Sequence, residues 1–236
     1  HLCVALADAG LKVAAIDLDR RQQTLSSALK SRDATAARLG IVLPRPRHNV
    51  LQVQSGATLC HEVNRVGYES DVVVIDAAGH DSAIARRAIA IADTLVTPVN
   101  SSFVDLDLLG KFHPVSLDLI AQGCFAIAVE EIRQARLRKG LPGLDWVVVQ
   151  NRTRRGISQN QSRVETALQR LSHHIGFRLC RGLAERVAYR ELFLLGLTHL
   201  DLRKIPDFHR TRLDAHREIL ALLGETERRL KNPARA

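Results

Sequence analysis

The sequence predicts an α/β fold: a doubly wound, mostly parallel sheet with helices on both faces. Three observations carry this. Four runs, Lys12–Ile16, Val72–Ile75, Leu95–Val99 and Trp146–Val149, are apolar apart from Lys12 and Thr97, as parallel strands covered on both faces are, rather than alternating. Longer segments of helical pattern, such as Ser82–Ala92 and Arg163–Ile175, lie between them, which is the spacing of βαβ units. Each run also stops at a polar residue: Asp17, Asp76, Asn100 and Asn151 stand at or just beyond the four carboxyl ends. One such residue alone is more often a turn or cap. Four together mark the edge at which open α/β sheets bind ligands.

The remaining elements follow in order. His1–Ala9 reads as the last turns of a helix stopped by Gly10. Arg32–Val50, with Pro44, Pro46 and several arginines, reads as a loop after a helix, and Lys139–Gly143 as a turn before the Trp146 strand. Phe177–Cys180 is a fifth, short strand. With no repeat, low-complexity tract or splitting linker, residues 1–236 read as a single domain. Aromatics make up only 4% of the chain, so its core is built from Ala, Val, Leu and Ile.

Composition narrows the function classes. No run of eighteen apolar residues exists, which excludes a membrane-spanning helix. Cys3, Cys60, Cys124 and Cys180 form no C-x-x-C pair and each stands beside an apolar residue, which predicts buried, reduced thiols. No histidine pair has zinc-ligand spacing, so no protein-held metal cluster is expected. The charge is asymmetric: 16 Lys+Arg balance 16 Asp+Glu in residues 1–150, whereas 18 stand against 9 in 151–236. A basic stretch on a neutral one suggests an anionic partner. General preference for Arg, which supplies 28 of the 34 basic residues, is the bland alternative.

Two segments carry chemistry. Ala15-Ile16-Asp17-Leu18-Asp19 ends a strand in two carboxylates one residue apart. Asp71-Val72-Val73-Val74-Ile75-Asp76-Ala77-Ala78-Gly79 is an apolar strand ending in Asp and then Gly, a Walker B pattern. Further segments are Asp17-Leu18-Asp19-Arg20-Arg21-Gln22, Thr97-Pro98-Val99-Asn100-Ser101-Ser102-Phe103-Val104-Asp105, Asp145-Trp146-Val147-Val148-Val149-Gln150-Asn151-Arg152 and Tyr189-Arg190-Glu191-Leu192-Phe193. In this order and at these separations, to about His216, they resemble the MipZ family of division-plane-positioning ATPases, in the ParA/MinD group of deviant P-loop ATPases.

The resemblance implies roles for matching residues. Asp19 resembles the residue that positions the attacking water, with Asp17 beside the phosphates at the strand end. Asp76 resembles the Walker B carboxylate, an indirect partner of Mg2+, and Gly79 the backbone contact to the γ-phosphate of ATP. Asn151 and Arg152 resemble the adenine-side contacts. Two departures stand out. The family's run continues Thr-Pro-Gly-Gly where this chain has Ala77-Ala78-Gly79-His80, and no G-x-x-x-x-G-K-[ST] occurs. The resemblance therefore implies that the first strand and the P-loop are not among these residues. The chain starts at His1 and contains no Met, so it reads as N-terminally truncated, and inactive on its own.

By the same resemblance the protein dimerises on ATP and binds DNA without sequence preference through its basic third. Arg154, Arg155, Arg163, Arg170, Arg178 and Arg186 are the candidate contacts. Backbone binding needs only positive charge at phosphate spacing, and Arg163 and Arg170, seven apart in a helical segment, share a face. The implied partners are a ParB-like partition protein and FtsZ, and the implied location is cytoplasmic and nucleoid-associated. MinD-like membrane cycling is the weaker alternative. Gly224, Glu225 and Glu227 interrupt and acidify the apolar Arg217–Leu223 segment, so it is expected to pack on the protein and give no stable membrane binding. A degenerate, non-hydrolysing DNA- or protein-binding module of the same fold is the reading from a different class.

Overall fold

The computed structural model describes residues 1–153, 159–205 and 213–226. The elements run α1 (Leu2–Asp8), β1 (Val13–Asp17), α2 (Thr24–Leu39), β2 (Arg47–Val50), α3 (Gly56–Gly67), β3 (Val72–Asp76), α4 (Ala83–Ile91), β4 (Thr94–Asn100), α5 (Phe103–Leu106), β5 (Gly110–Phe112), β6 (Leu119–Gln122), α6 (Cys124–Arg138), β7 (Asp145–Asn151), α7 (Gln159–Ile175), β8 (Arg178–Arg181), α8 (Val187–Leu194) and α9 (Leu213–Thr226). Chain contacts divide this α/β structure into two compact units: His1–Ala88 with Arg186–Leu223, and Ile89–Glu185 with the stretch from Gly224.

The first unit holds a parallel sheet of order β2-β1-β3. Central β1 is buried at all five positions, as its unbroken apolar run requires. Cys3, Val4, Ala5 and Leu6 of α1, Leu29 of α2 and Leu59 of α3 complete the core. The Val72–Ile75 run, expected to be covered on both faces, forms β3 but is only half-buried, because β3 lies at the edge of the sheet. Arg47–Val50, read as loop, is the other edge strand. Its alternation of exposed and half-buried residues hides it among the prolines and arginines around it.

The second unit holds a parallel sheet of order β4-β7-β8. Val147 and Val148 of β7 are fully buried. Trp146 is buried too, and its Nε1–H donates to Thr97 Oγ1 at 3.0 Å, the partner a buried indole needs. Helix α7 covers the sheet with Val164, Ala167, Leu168, Leu171 and Ile175, one stripe at helical spacing. Each large member of that stripe contributes about 1.5–3 kcal/mol of burial. Edge strand β4 is half-buried over Thr94–Thr97, again less covered than its apolar run predicts. The antiparallel hairpin β5–β6 was not anticipated. Its strands are three and four residues long, too short to show a period.

The thiols depart from expectation. Cys3 and Cys180 are buried, Cys60 is half-buried, and Cys124 is exposed at the first position of α6; none of the four is in a disulfide. Among the described residues no helix is long and apolar enough to cross a membrane, and no group of His, Cys, Asp or Glu is arranged to hold a metal ion by itself.

Candidate functional site

Parallel register brings two carboxylates together at one strand edge. Asp17 and Asp76, the last residues of β1 and β3, are direct Cα partners. The Leu18 N–H donates to the Asp76 carbonyl at 2.8 Å, and the Leu51 N–H to the Asp17 carbonyl at 3.0 Å, tying the three strand ends. Asp17 is 1% exposed. Its Oδ1 accepts the Asp19 N–H at 3.0 Å and its Oδ2 accepts the Ser26 N–H at 3.1 Å. Gln23, at the N-cap position of α2, is left-handed and makes no side-chain cap. Asp17 therefore satisfies an orphan N–H of α2 from the strand, and both of its oxygens are committed to shaping the turn that presents Asp19.

Asp19 is half-buried. Its Oδ1 accepts the Arg21 and Gln22 N–H groups at 3.0 Å each, and no hydrogen bond to its Oδ2 is formed among the described residues. The side chain is thus held by one oxygen with the other available. Asp76 lies at the exposed end of its strand, yet desolvation first, and then the charges of Asp17 and Asp19, push its pKa up. No Lys or Arg pairs with any of the three carboxylates among the described residues. Negative charge gathered at one edge suits Mg2+, which binds through one or two carboxylates and retained waters.

After β3, Gly79 is exposed, and a Cβ built on it would meet no atom within 4 Å. Its φ is not positive, so the fold does not require glycine there. Without a side chain, the Gly79 backbone is open to close approach from outside. The segment is anchored beyond it by the bidentate Arg86–Asp81 pair (2.9 and 2.8 Å) and by Ser82 Oγ, which accepts the Ala85 N–H at the start of α4.

The second unit has its own polar edge. Asn100 and Asn151, the last residues of β4 and β7, are Cα partners. Asn100 Nδ2–H donates to Asp105 Oδ2 at 2.7 Å and its backbone N–H to the same oxygen at 3.1 Å, so Asn100 closes its own turn. Asn151 and Arg152 are positioned by a close approach: a Cβ on Gly182 would lie 2.2 Å from the Gln150 carbonyl, so only glycine lets the chain after β8 pass the end of β7. Arg152 is exposed and takes φ 51°, a left-handed conformation costing a bulky residue about 1–2 kcal/mol.

The model for the ATPase MipZ matches residues 1–229. The chain belongs to the MipZ ATPase family. Solved structures share its fold. It is similar to the cell division ATPase MinD of Pyrococcus furiosus at 17% identity, with 96% of this chain and 90% of that chain covered and a TM-score of 0.56. It is equally similar to the septum site-determining protein MinD complexed with Mg-ADP from Pyrococcus horikoshii OT3 (15%, 96% and 88%, 0.57) and to the MinC:MinD cell division protein complex of Aquifex aeolicus (15%, 95% and 86%, 0.55). None of the curated proteins compared with the chain matches it.

In this MipZ-family chain the candidate DNA contacts are partly spent on the protein itself. Arg154 and Arg155 lie outside the described residues. Arg178 holds Asp145 with Nε and Nη2 (3.0 and 2.8 Å) and Glu225 with Nη1 at 2.6 Å. Arg186 is nearly buried against Glu218 at 2.5 Å. Arg163 donates to the Pro114 carbonyl and lies over the Phe103 ring. Arg170 donates to the Ser116 carbonyl at 2.8 Å and pairs with Asp118 at 3.1 Å, with about half of its side chain exposed. The predicted shared face of α7 is real, but it also clasps the 113–118 turn of the hairpin.

Sequence reasoning missed the buried arginines. Arg32 is 1% exposed; it donates to the Pro44 and Gly196 carbonyls and forms a bidentate pair with Asp201 at 2.7 and 2.6 Å. Arg136 donates to the Pro142, Ala90 and Ala92 carbonyls. Arg133 donates to the Ile175 and Gly176 carbonyls at the end of α7 and lies over Trp146. Only their helical periodicity could have flagged them, since Arg32, with Leu29, falls on the inner side of α2.

Proposed function

We propose that this ATPase is a nucleotide switch that binds MgATP at the carboxylate edge of β1 and β3, dimerises on ATP, binds DNA without sequence preference and positions the division plane by regulating FtsZ assembly. The carrying observation is the in-register Asp17–Asp76 pair with Asp19 two residues on, a crowded negative edge that no Lys or Arg pairs with among the described residues. Mg2+, when bound, offsets charge on the phosphates. Asp76 would hold the metal through its water shell. Asp19 orients the attacking water with its available Oδ2, and Asp17 keeps Asp19 in place through the backbone. The Gly79 N–H would contact the γ-phosphate, and Asn151 and Arg152 would take the adenine side. The chemistry is in-line attack, promoted by positioning and electrostatics rather than covalent catalysis.

The 236 residues belong to one P-loop NTPase-like domain on this reading. They contain no G-x-x-x-x-G-K-[ST], and by themselves do not turn over ATP. Membrane attachment has no part in the proposal: Ile219, Leu222 and Leu223 of α9, the segment a membrane helix would use, are buried. A ParB-like protein is the second protein partner, and the location is cytoplasmic and nucleoid-associated. The test is Mg2+-dependent phosphate release from the protein with its phosphate-binding loop in place. Asp76→Ala lowers the rate by about a hundredfold, as loss of a positioning group does. Turnover that is unchanged by Asp76→Ala contradicts the assignment.

A further inference from the structure

The 113–118 turn joins β5 to β6, and the switch reading assigns it no role. It is organised around one imidazole. His113 Nδ1 accepts the Ser116 N–H at 3.2 Å and the Val115 N–H at 3.4 Å. Backbone amides only donate, so the ring's proton sits on Nε2. Ser116 Oγ lies 3.2 Å from the same nitrogen but gives its proton to Asp118 Oδ2 at 2.6 Å. The His113 N–H on the Asp118 carbonyl (2.9 Å) and the Leu117 N–H on the His113 carbonyl (3.0 Å) close the turn. The turn also holds strain. Leu117 takes φ 58°, a left-handed conformation that a bulky residue keeps only while its surroundings hold it there.

The same turn occupies two arginines of α7. Arg163 donates to the Pro114 carbonyl, and Arg170 to the Ser116 carbonyl at 2.8 Å and to Asp118 Oδ1 at 3.1 Å. Imidazole is the side chain that changes charge between about pH 5 and 8. A second proton fills the Nδ1 lone pair on which both amides converge, and leaves two donors facing a third. We infer that His113 is a pH-sensitive latch: proton uptake opens the 113–118 turn and frees Arg163 and Arg170 for a polyanion. The inference rests on the DNA reading above and names what regulates it. Asp118, in the turn itself, favours the imidazolium and, drawn toward it, gives up Arg170. Arg163 and Arg170 from α7, and Lys111 two residues back in β5, oppose the added charge. Residues 113–116 are exposed, so the proton arrives directly from solvent.

Two substitutions separate the closed and open states. In His113→Asn, Oδ1 takes the place of Nδ1 as acceptor but gains no proton, so the turn stays closed. In His113→Ala no acceptor remains, so the turn stays open. The first readout is amide protection at Ser116 and Leu117, by NMR on the protein with its phosphate-binding loop in place. Wild-type protection falls about tenfold between about pH 8 and 5.5. It stays high at both in His113→Asn and low at both in His113→Ala. The second readout is fluorescence anisotropy with ATP on one duplex at constant salt. Over that interval wild type gains about fivefold more affinity than His113→Asn, the worth of one exposed ion pair released. The comparison cancels the gain from the other histidines, which the variants share. His113→Ala binds about fivefold more tightly than wild type at the upper pH. Wild-type protection that is equal at the two pH values overturns the latch, and so does a pH gain in binding that His113→Asn keeps in full. Absence of DNA binding by every form at every pH overturns the DNA reading, and with it the release of arginines to DNA. The protection measurement still decides whether the turn opens.

Discussion

The buried carboxylate of Asp17 accepts the backbone N–H of Ser26 at 3.1 Å, so the last residue of a strand caps a helix nine positions later. Asp17 is thereby a positioning residue with a stability signature. Asp17→Ala leaves two backbone N–H groups without acceptors and destabilises the protein by about 2 kcal/mol. Asp17→Asn retains one oxygen acceptor and costs less. Urea denaturation midpoints of the two variants check the order.

Arg32 and Asp201 form the deepest ion pair among the described residues of the first unit, both 1% exposed. Asp201→Ala strands a buried guanidinium and costs about 3–5 kcal/mol. Replacing both, Arg32→Met with Asp201→Leu, costs clearly less than the sum of the single changes, because no unpaired charge remains. A double-mutant cycle by urea denaturation measures the difference. Additivity contradicts the pairing.

Acid should weaken the fold through Glu62. The Arg65 guanidinium, 2.7 and 2.8 Å away, holds its carboxyl down at about 2 against an ordinary value of 4.5. The folded value is depressed, so the stability this pair contributes is present above about 4.5 and is lost as pH falls toward about 2. Glu62→Gln flattens the stability profile in that window and lowers stability at neutral pH. Urea midpoints measured between those limits show it.

The edges of the fold were the legible part. Asp17, Asp76, Asn100 and Asn151 end β1, β3, β4 and β7, because an apolar run and the polar residue that stops it are local features of sequence. Burial was less legible. Val72–Ile75 and Leu95–Thr97 have the composition of covered strands, but coverage depends on which strand lies at an edge, and that is set by pairing. Arginine roles were least legible. Arg32 meets Asp201 across 169 residues, and Arg178 meets Asp145 across 33, so neither contact leaves a spacing in the sequence. Net charge therefore overstated the free basic surface.

DNA binding should map to α7. With ATP, binding to unrelated duplexes is equal, and if about four phosphates are neutralised per dimer, the log–log salt slope lies near −3.6. Arg163→Ala with Arg170→Ala flattens that slope for all sequences alike. Asp118→Asn removes the carboxylate beside Arg170 and tightens binding, since a surface pair worth at most about 1 kcal/mol gives way to a phosphate. Fluorescence anisotropy across a salt series on two duplexes measures all three. An unchanged slope in the double variant leaves Arg163 and Arg170 as hairpin clasps only.

The switch itself rests on Asp19. Phosphate release by the Asp19→Ala variant, in the protein with its phosphate-binding loop in place, measured beside sedimentation with ATP, tests it most directly. Asp19 is assigned to the attacking water and not to nucleotide binding, so hydrolysis is abolished while ATP-dependent dimerisation persists. Hydrolysis at the wild-type rate would contradict the assignment and move the role to another carboxylate of the same edge.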